Sequence, residues 1–297
     1  MQDVRQQHEQ QYEENGYAII PDVIDPALTE EMRGHIAWLT GRPPELRPEQ
    51  FHHRLIVDDP FWIRLCTDPR LIDVVEPFIG PDVALFAAHY IVKPPRIGQP
   101  VLWHQDGHYW PLEPMEVITI WLAADDSTPE NGCMRVIPGS HKGQRIREHA
   151  SNTREPNVLR SEIASTVEEN DAVDVVVPAG GVSIHDPFLV HGSLANTSDK
   201  PRGGLTLRYI PTTTRITRDG APAYLCRGNA VPGVNTYPLR CPGTGQENTI
   251  PSRAATRRPG CERAPFVHCG PGFRVRDCEH AVRGTSASHR DNQARPR

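Results

Sequence analysis

The chain has 297 residues, and its 32 Lys and Arg against 37 Asp and Glu leave a net charge of −5 with the 14 histidines neutral. That balance offers no basic footprint for nucleic acid. No stretch approaches the roughly 18 apolar residues of a membrane span, and Met1 to Asn15 lacks the apolar core of a secretion signal. The expectation is a soluble, cytoplasmic protein with ample core for a fold without staples and a small-molecule substrate as its partner. The oligomeric state is not legible. Of the seven cysteines, five (Cys226, Cys241, Cys261, Cys269 and Cys278) lie in the last quarter, and in a reducing compartment they are expected to be free thiols.

In chain order, residues 1–15 read as a short polar helix, and Tyr17 to Ile20 as an apolar strand closed by Pro21. Asp25-Pro26 starts a helix, with Asp as N-cap and Pro in the first turn. Leu28, Met32, Ile36 and Leu39 form its apolar stripe, and Gly41 stops it. Asp68-Pro69 repeats the device ahead of Leu71, Val74, Val75 and Phe78, with Gly80 as the stop. After Gly80 the period shortens. Strands are predicted over Val83–Val92, Val101–Tyr109, Val117–Ala123, Cys133–Ile137, Val173–Val177, Gly181–His185, Leu189–Gly192 and Leu205–Ile210, separated by Pro- and Gly-rich turns. Many short strands with strong punctuation indicate a β-sandwich or barrel, and a jelly roll fits because its mouth can hold a ligand.

The expected organisation is therefore one mainly β domain over 1–220 with flanking helices. It comprises a helical part at 1–80 and a β-core at 81–215, into which a polar insertion, 141–171, is set over the site. From 221 to 297 the composition changes to Arg, Pro and Cys without periodicity, which reads as an irregular or disordered tail. Its Cys261, His268, Cys269, Cys278 and His280 have the residue types of a zinc site but not the paired spacing.

Chemistry concentrates in Trp103-His104-Gln105-Asp106-Gly107-His108-Tyr109-Trp110 and, far downstream, in Leu189-Val190-His191-Gly192. In extended backbone, residues i and i+2 share a side, so His104 and Asp106 can converge on one ion while Gln105 points away. With His191 they make two histidines and one carboxylate, the set that binds Fe(II) on one face and leaves positions open for a co-substrate and O2. A second H-x-D, His289-Arg290-Asp291, lies in a polar, Arg-rich stretch with no later histidine to complete it, and is read as chance.

Four stretches carry a resemblance: Tyr90-Ile91-Val92-Lys93-Pro94-Pro95; Trp103 to Tyr109; Asn131-Gly132-Cys133-Met134-Arg135-Val136-Ile137-Pro138-Gly139-Ser140-His141; and Leu189 to Ser193, continuing through Asn196-Thr197-Ser198-Asp199 to Pro201-Arg202. In order and spacing they resemble the phytanoyl-CoA dioxygenase family of Fe(II)/2-oxoglutarate oxygenases, from about Tyr12 to Pro211. The resemblance implies a double-stranded β-helix (cupin-like jelly roll) in which His104, Asp106 and His191 act as catalytic iron ligands. It also implies a basic anchor for the far carboxylate of 2-oxoglutarate eleven positions after the distal histidine, which here is Arg202. A guanidinium suits that role because it meets a carboxylate with two parallel hydrogen bonds. Arg208 shares its strand parity and is the rival. By the same resemblance His89 and Trp121 contact the co-substrate, His52 or Arg54 falls near another contact, and His108, Tyr109 and Trp110 line the substrate side. Halogenating relatives lack the acidic ligand; Asp106 is present, so hydroxylation or another oxidation with O2 is expected. The alternatives are a metal-dependent isomerase or hydrolase that uses the same ligands without 2-oxoglutarate, and a non-catalytic jelly-roll binding protein.

Overall fold

Three Asp-Pro dipeptides start helices. In the computed structural model, which describes residues 2–41, 47–52, 59–218, 223–237 and 239–240, α1 spans Gln2–Asn15, α2 Pro26–Thr40, α3 Pro60–Cys66 and α4 Pro69–Ile79. The carboxylates of Asp25, Asp59 and Asp68 accept from the backbone N–H of Leu28, Trp62 and Arg70 at 2.9, 3.0 and 3.0 Å. Each satisfies a donor that the first helical turn leaves unpaired. The α3 helix was not among the predicted elements, although Asp59-Pro60 carries the same signal as its neighbours; at seven residues it is too short to show a period.

The strands are β1 (Tyr17–Ile20), β2 (Phe51–His52), β3 (Val83–Tyr90), β4 (Val101–His104), β5 (Leu112–Glu113), β6 (Ile118–Ala123), β7 (Met134–Val136), β8 (His149–Ser151), β9 (Ser161–Ile163), β10 (Val173–Val175), β11 (Val182–His185), β12 (His191–Ser193), β13 (Gly204–Pro211), β14 (Arg215–Ile216), β15 (Tyr224–Arg227) and β16 (Leu239–Arg240). The major sheet runs β1-β11-β6-β13-β3-β15-β16, with β2 also on β3; the minor sheet runs β10-β7-β12-β4. Two two-stranded antiparallel pairs, β14–β5 and β8–β9, complete the set.

Strand alternation divides the major sheet into two faces. Ile118, Ile120 and Leu122 of β6, Val182 and Ile184 of β11, and Leu205, Leu207 and Tyr209 of β13 are buried with Leu28, Met32, Trp62, Leu65, Leu71 and Val75 of the helices. Each fully buried Leu or Ile there contributes about 1.5–3 kcal/mol. The opposite parity faces the minor sheet, where Trp121 and Ala123 pack with Met134, Val136, Val175 and Leu189. This two-sheet roll is the expected mainly β, jelly-roll fold with its helices on one outer face.

Two expectations need correction, and the insertion has structure of its own. The strand predicted over Val101–Tyr109 ends at His104, and Asp106–Tyr109 is a 3-10 turn, because the Gly107 N–H turns aside to Pro187 O at 2.9 Å and the His108 N–H closes on Gln105 O. Gln105 itself stays extended (φ −125°, ψ 126°), so the i, i+2 argument survives for the two residues that need it. Within the insertion β8 and β9 form a hairpin that lies against β4, and Val158 N donates to Pro100 O. The boundary at 220 is too early. Strand β15 pairs with β3, and Tyr224 and Cys226 join the outer core. The candidate zinc residues of the tail, and His289 to Asp291, lie outside the described residues, as does Arg54.

Candidate metal centre

His104 closes β4 and His191 opens β12, and the two are direct cross-strand partners in the minor sheet. That register brings together residues 87 positions apart in sequence. Their rings lie 4.1 Å apart, centre to centre. His104, Asp106 and His191 are all buried, and one ligating atom from each lies within 4.8 Å of the others.

The ring orientations are set locally. His104 Nδ1 lies 2.8 Å from Leu102 O and His191 Nδ1 lies 3.0 Å from Leu189 O. A carbonyl only accepts, so both Nδ1 atoms carry the proton and both Nε2 lone pairs turn inward. The outer hydrogen bond to a backbone carbonyl is the usual device for orienting a metal-binding imidazole. Burial, with His104 and His185 close by, holds His191 well below the ordinary histidine range, so it is neutral at neutral pH and able to bind a cation.

Asp106 has two different oxygens. Oδ1 faces the ligand cluster, 3.5 Å from His104 Nε2 and 3.9 Å from His191 Nε2. Oδ2 faces the major sheet, with His185 Nε2 at 3.5 Å, Thr119 Oγ1 at 3.5 Å and Arg208 Nη2 at 3.9 Å. Burial pushes this carboxyl upward, but His104, His185, Arg208 and His191 outweigh it and keep the group well below the usual carboxylate range. The three residues behind Oδ2 form one rung of the major sheet: His185 pairs with Thr119, and Thr119 with Arg208. Sequence reasoning did not single out His185 or Thr119. The available signal was parity, since His185 and Ser183 alternate with the outward-facing Val182 and Ile184.

The next rung holds the other expected contacts. Ser183, Trp121, Thr206 and His89 are successive cross-strand partners, and His52 pairs with His89 at the edge. Trp121 is buried and His89 half-buried. Arg202 follows, 2% exposed, with its guanidinium 5.2 Å over the Trp121 ring and Nη1 donating to Gly132 O at 2.6 Å. The structure thus groups Arg202, Trp121 and His89 along one side of the roll and places Arg208 beside Asp106. Both arginines face inward, as parity predicted. Of the aromatics expected to line the substrate side, Trp110 lies against Arg208 (5.6 Å) and Phe86 (6.3 Å), and His108 stacks on His149 of the insertion at 4.0 Å and 10°. The insertion therefore reaches the site. His149 Nε2 accepts from Gln105 N, and the Gln105 side chain bonds Arg145 O, Phe188 O and Arg147 N.

Among the described residues, Ser183 Oγ, both ring nitrogens of His185, and the Nε atoms of Arg202 and Arg208 are buried without a hydrogen-bond partner. Buried polar atoms are ordinarily paired, and a cluster of unpaired ones around a ligand set marks a place shaped for polar guests.

Fold and site together define the class: a double-stranded β-helix carrying two histidines and a carboxylate at one end of its interior. The family model described as phytanoyl-CoA dioxygenase (PhyH) matches residues 12–204, and the chain belongs to that family. It is 28% identical over 223 residues to peroxisomal phytanoyl-CoA dioxygenase of Homo sapiens, covering 67% of this chain and 66% of the relative. It is 29% identical over 147 residues to a probable alpha-ketoglutarate-dependent hypophosphite dioxygenase of Stutzerimonas stutzeri, covering 49% and 51%. The chain thus spans just under two thirds of the first relative's length and about half of the second's. Among solved structures it resembles the non-heme monooxygenase ThoJ (TM-score 0.65, 24% identity, 77% and 86% covered) and the alpha-ketoglutarate-dependent carbocyclase SnoK (TM-score 0.56, 26% identity, 72% and 88% covered). No helix among the described residues is long and apolar enough to cross a membrane.

Proposed function

We propose that this protein is an Fe(II)- and 2-oxoglutarate-dependent dioxygenase that hydroxylates an unactivated C–H bond of a small metabolite in the cytoplasm. The observation that carries the reading is the convergence of His104, Asp106 and His191 within 4.8 Å on an interior surface rich in unpartnered polar atoms. Two inward Nε2 atoms and one carboxylate oxygen suit a divalent first-row ion with open positions. Bound there, Fe(II) and 2-oxoglutarate would supply the oxidising power that inserts one oxygen atom of O2 into the substrate.

The chain's own residues do the rest. His104 and His191 present lone pairs because their Nδ1 protons are committed to backbone carbonyls. Asp106 stays ionised, with Oδ1 free for the metal because the polar rung behind it faces Oδ2. Arg202, buried over Trp121 with Nε unpartnered, would hold the far carboxylate of the co-substrate, and Trp121 and His89 would flank its carbon chain. The buried Arg202 guanidinium favours a dicarboxylate co-substrate over chemistry by metal alone. The relatives are named for substrates as different as phytanoyl-CoA and hypophosphite, so family membership alone does not select the metabolite.

The test is anoxic titration of the apoprotein with Fe(II) and then 2-oxoglutarate, followed by O2 and quantification of succinate. Wild type should take up one equivalent of each and release succinate. Asp106→Ala should lose metal uptake by 10-fold or more, about 1.4 kcal/mol. An Asp106→Ala protein that binds Fe(II) and turns over like wild type would refute the assignment.

A further inference from the structure

We propose that Arg208 is the anchor for an anionic head group on the substrate, so that the metabolite oxidised here is an oxoacid, a carboxylate or a phosphonate, held beside the metal by this guanidinium. The proposal rests on the dioxygenase reading above and names the substrate class of that site.

Three observations carry it. The first is the state of the guanidinium. Arg208 is 8% exposed, its Nε is buried without a partner, and among the described residues it makes no hydrogen bond. Its nearest acid is Asp106 Oδ2 at 3.9 Å, too far for a hydrogen bond. A buried guanidinium has five donors to satisfy, and leaving them unmet is costly. Arg202 differs, since it already donates to Gly132 O.

The second is position. Arg202 and Arg208 lie six residues apart, Arg208 within β13 and Arg202 two residues ahead of its start, roughly 20 Å along an extended chain at about 3.3 Å per residue. Trp121 stands against the Arg202 end, and Arg208 borders the ligand carboxylate. A dicarboxylate that chelates the metal by one end carries its other carboxylate away from the metal, toward the Trp121 and Arg202 rung. Arg208 is left on the substrate side, with its guanidinium carbon 5.6 Å from the centre of the Trp110 ring. The planar edge of a guanidinium offers an oxoanion parallel donors.

The third is charge. A divalent ion with Arg202 and Arg208 brings four positive charges into the roll. Asp106 and the two carboxylates of 2-oxoglutarate offset three. The buried Glu49 is already engaged, since Arg47 donates to it at 3.1 and 3.0 Å. One positive charge remains in a buried interior, beside the metal, where a singly charged oxoacid would neutralise it.

The experiment uses the full chain loaded with Co(II) and saturated with N-oxalylglycine, a non-reacting mimic of 2-oxoglutarate. Acetate and methylphosphonate are then titrated, and paramagnetic relaxation of their methyl protons is read by NMR. Wild type should give saturable relaxation with at least one probe, and the tighter of the two identifies the head group. Arg208→Gln should weaken that binding 10-fold or more while the N-oxalylglycine affinity stays within about 2-fold; Arg202→Gln should do the reverse. Arg208→Lys, which keeps charge but not the planar fork, should fall between. The proposal is overturned if neither probe binds wild type, if Arg208→Gln binds as wild type does, or if N-oxalylglycine depends on Arg208 rather than Arg202. Should Arg208→Gln fail to fold by circular dichroism, Arg208→Lys decides, and wild-type probe affinity in that variant is then the overturning result. A wild-type protein that takes up a probe in an Arg208-dependent way but no N-oxalylglycine would sink the co-substrate reading and leave the anion site standing.

Discussion

Gly204 sits where the roll has no room for a methyl group. A Cβ built there would lie 2.1 Å from Trp121 Cζ2 and 2.4 Å from Cε2, both inside any real carbon contact. The indole is buried among Ala123, Met134 and Val136 and stacks with Arg202, so it cannot swing into solvent to make way. Gly204→Ala must therefore displace Trp121. Overpacking of this kind costs about 1–3 kcal/mol, and for a domain of this size each kcal/mol lowers Tm by about 2–4 °C. If Trp121 and Arg202 hold the co-substrate, the same shift should also weaken 2-oxoglutarate binding about 10-fold, equal to about 1.4 kcal/mol. Metal affinity should be unchanged, because His104, Asp106 and His191 stand on other elements: β4, the 3-10 turn after it and β12. Differential scanning calorimetry and anoxic titration calorimetry read both effects. Trp121→Phe, with a smaller ring, should recover part of the loss in the Gly204→Ala background, and the coupling can be read from a double-mutant cycle. Unchanged Tm and unchanged 2-oxoglutarate affinity in Gly204→Ala would refute the packing argument; a lower Tm with full co-substrate affinity would refute the assignment of Trp121.

Gln105 ties the insertion to the end of β4 through two side-chain hydrogen bonds, to Arg145 O and Arg147 N, and a third runs to Phe188 O ahead of β12. Gln105→Ala should destabilise by about 2–4 kcal/mol, at roughly 1 kcal/mol per bond lost with partners left unpaired, and should speed proteolytic cleavage within 141–171; cleavage at the wild-type rate would show that the tether is unimportant. Lys93 is fully buried, donates to Ser193 Oγ at 2.7 Å and to Leu194 O, and burial, with Arg202 beside it, lowers its pKa to about 5. Between that value and the unfolded lysine value the unfolded chain carries the extra proton, so stability rises with pH. Relative to Lys93→Met, wild type should gain up to about 1.4 kcal/mol per pH unit from about pH 6 to about pH 9 in urea titrations; parallel pH profiles for the two proteins would show that Lys93 keeps its proton in the fold.

Much of the site was legible because its signals are local. The Asp-Pro starts of α2 and α4 lie within one turn of the residues they cap. His104 and Asp106 share a side because Gln105 is extended, a property of three consecutive residues. His191 and Arg202 were reached through the spacing of the family motifs, and the inward parity of Arg202 and Arg208 followed from counting along one strand. The hairpin in the insertion was not legible, because short polar strands such as His149–Ser151 have no apolar alternation to show, and β15 is a four-residue run, Tyr224–Arg227, whose three buried residues show no alternation either. They become strands only when a partner supplies the hydrogen bonds.

The linear chain determined which residue types could bind a ferrous ion and that two of them would project together. Only the tertiary structure decided what stands around them. Cross-strand register set His185, Thr119 and Arg208 in one rung behind Asp106, placed Arg202 over Trp121 and against Lys93, and laid the Gly204 backbone against the indole. Such neighbours come from strands distant in sequence, and a slip of one residue in any pairing would send every one of these side chains to the opposite face.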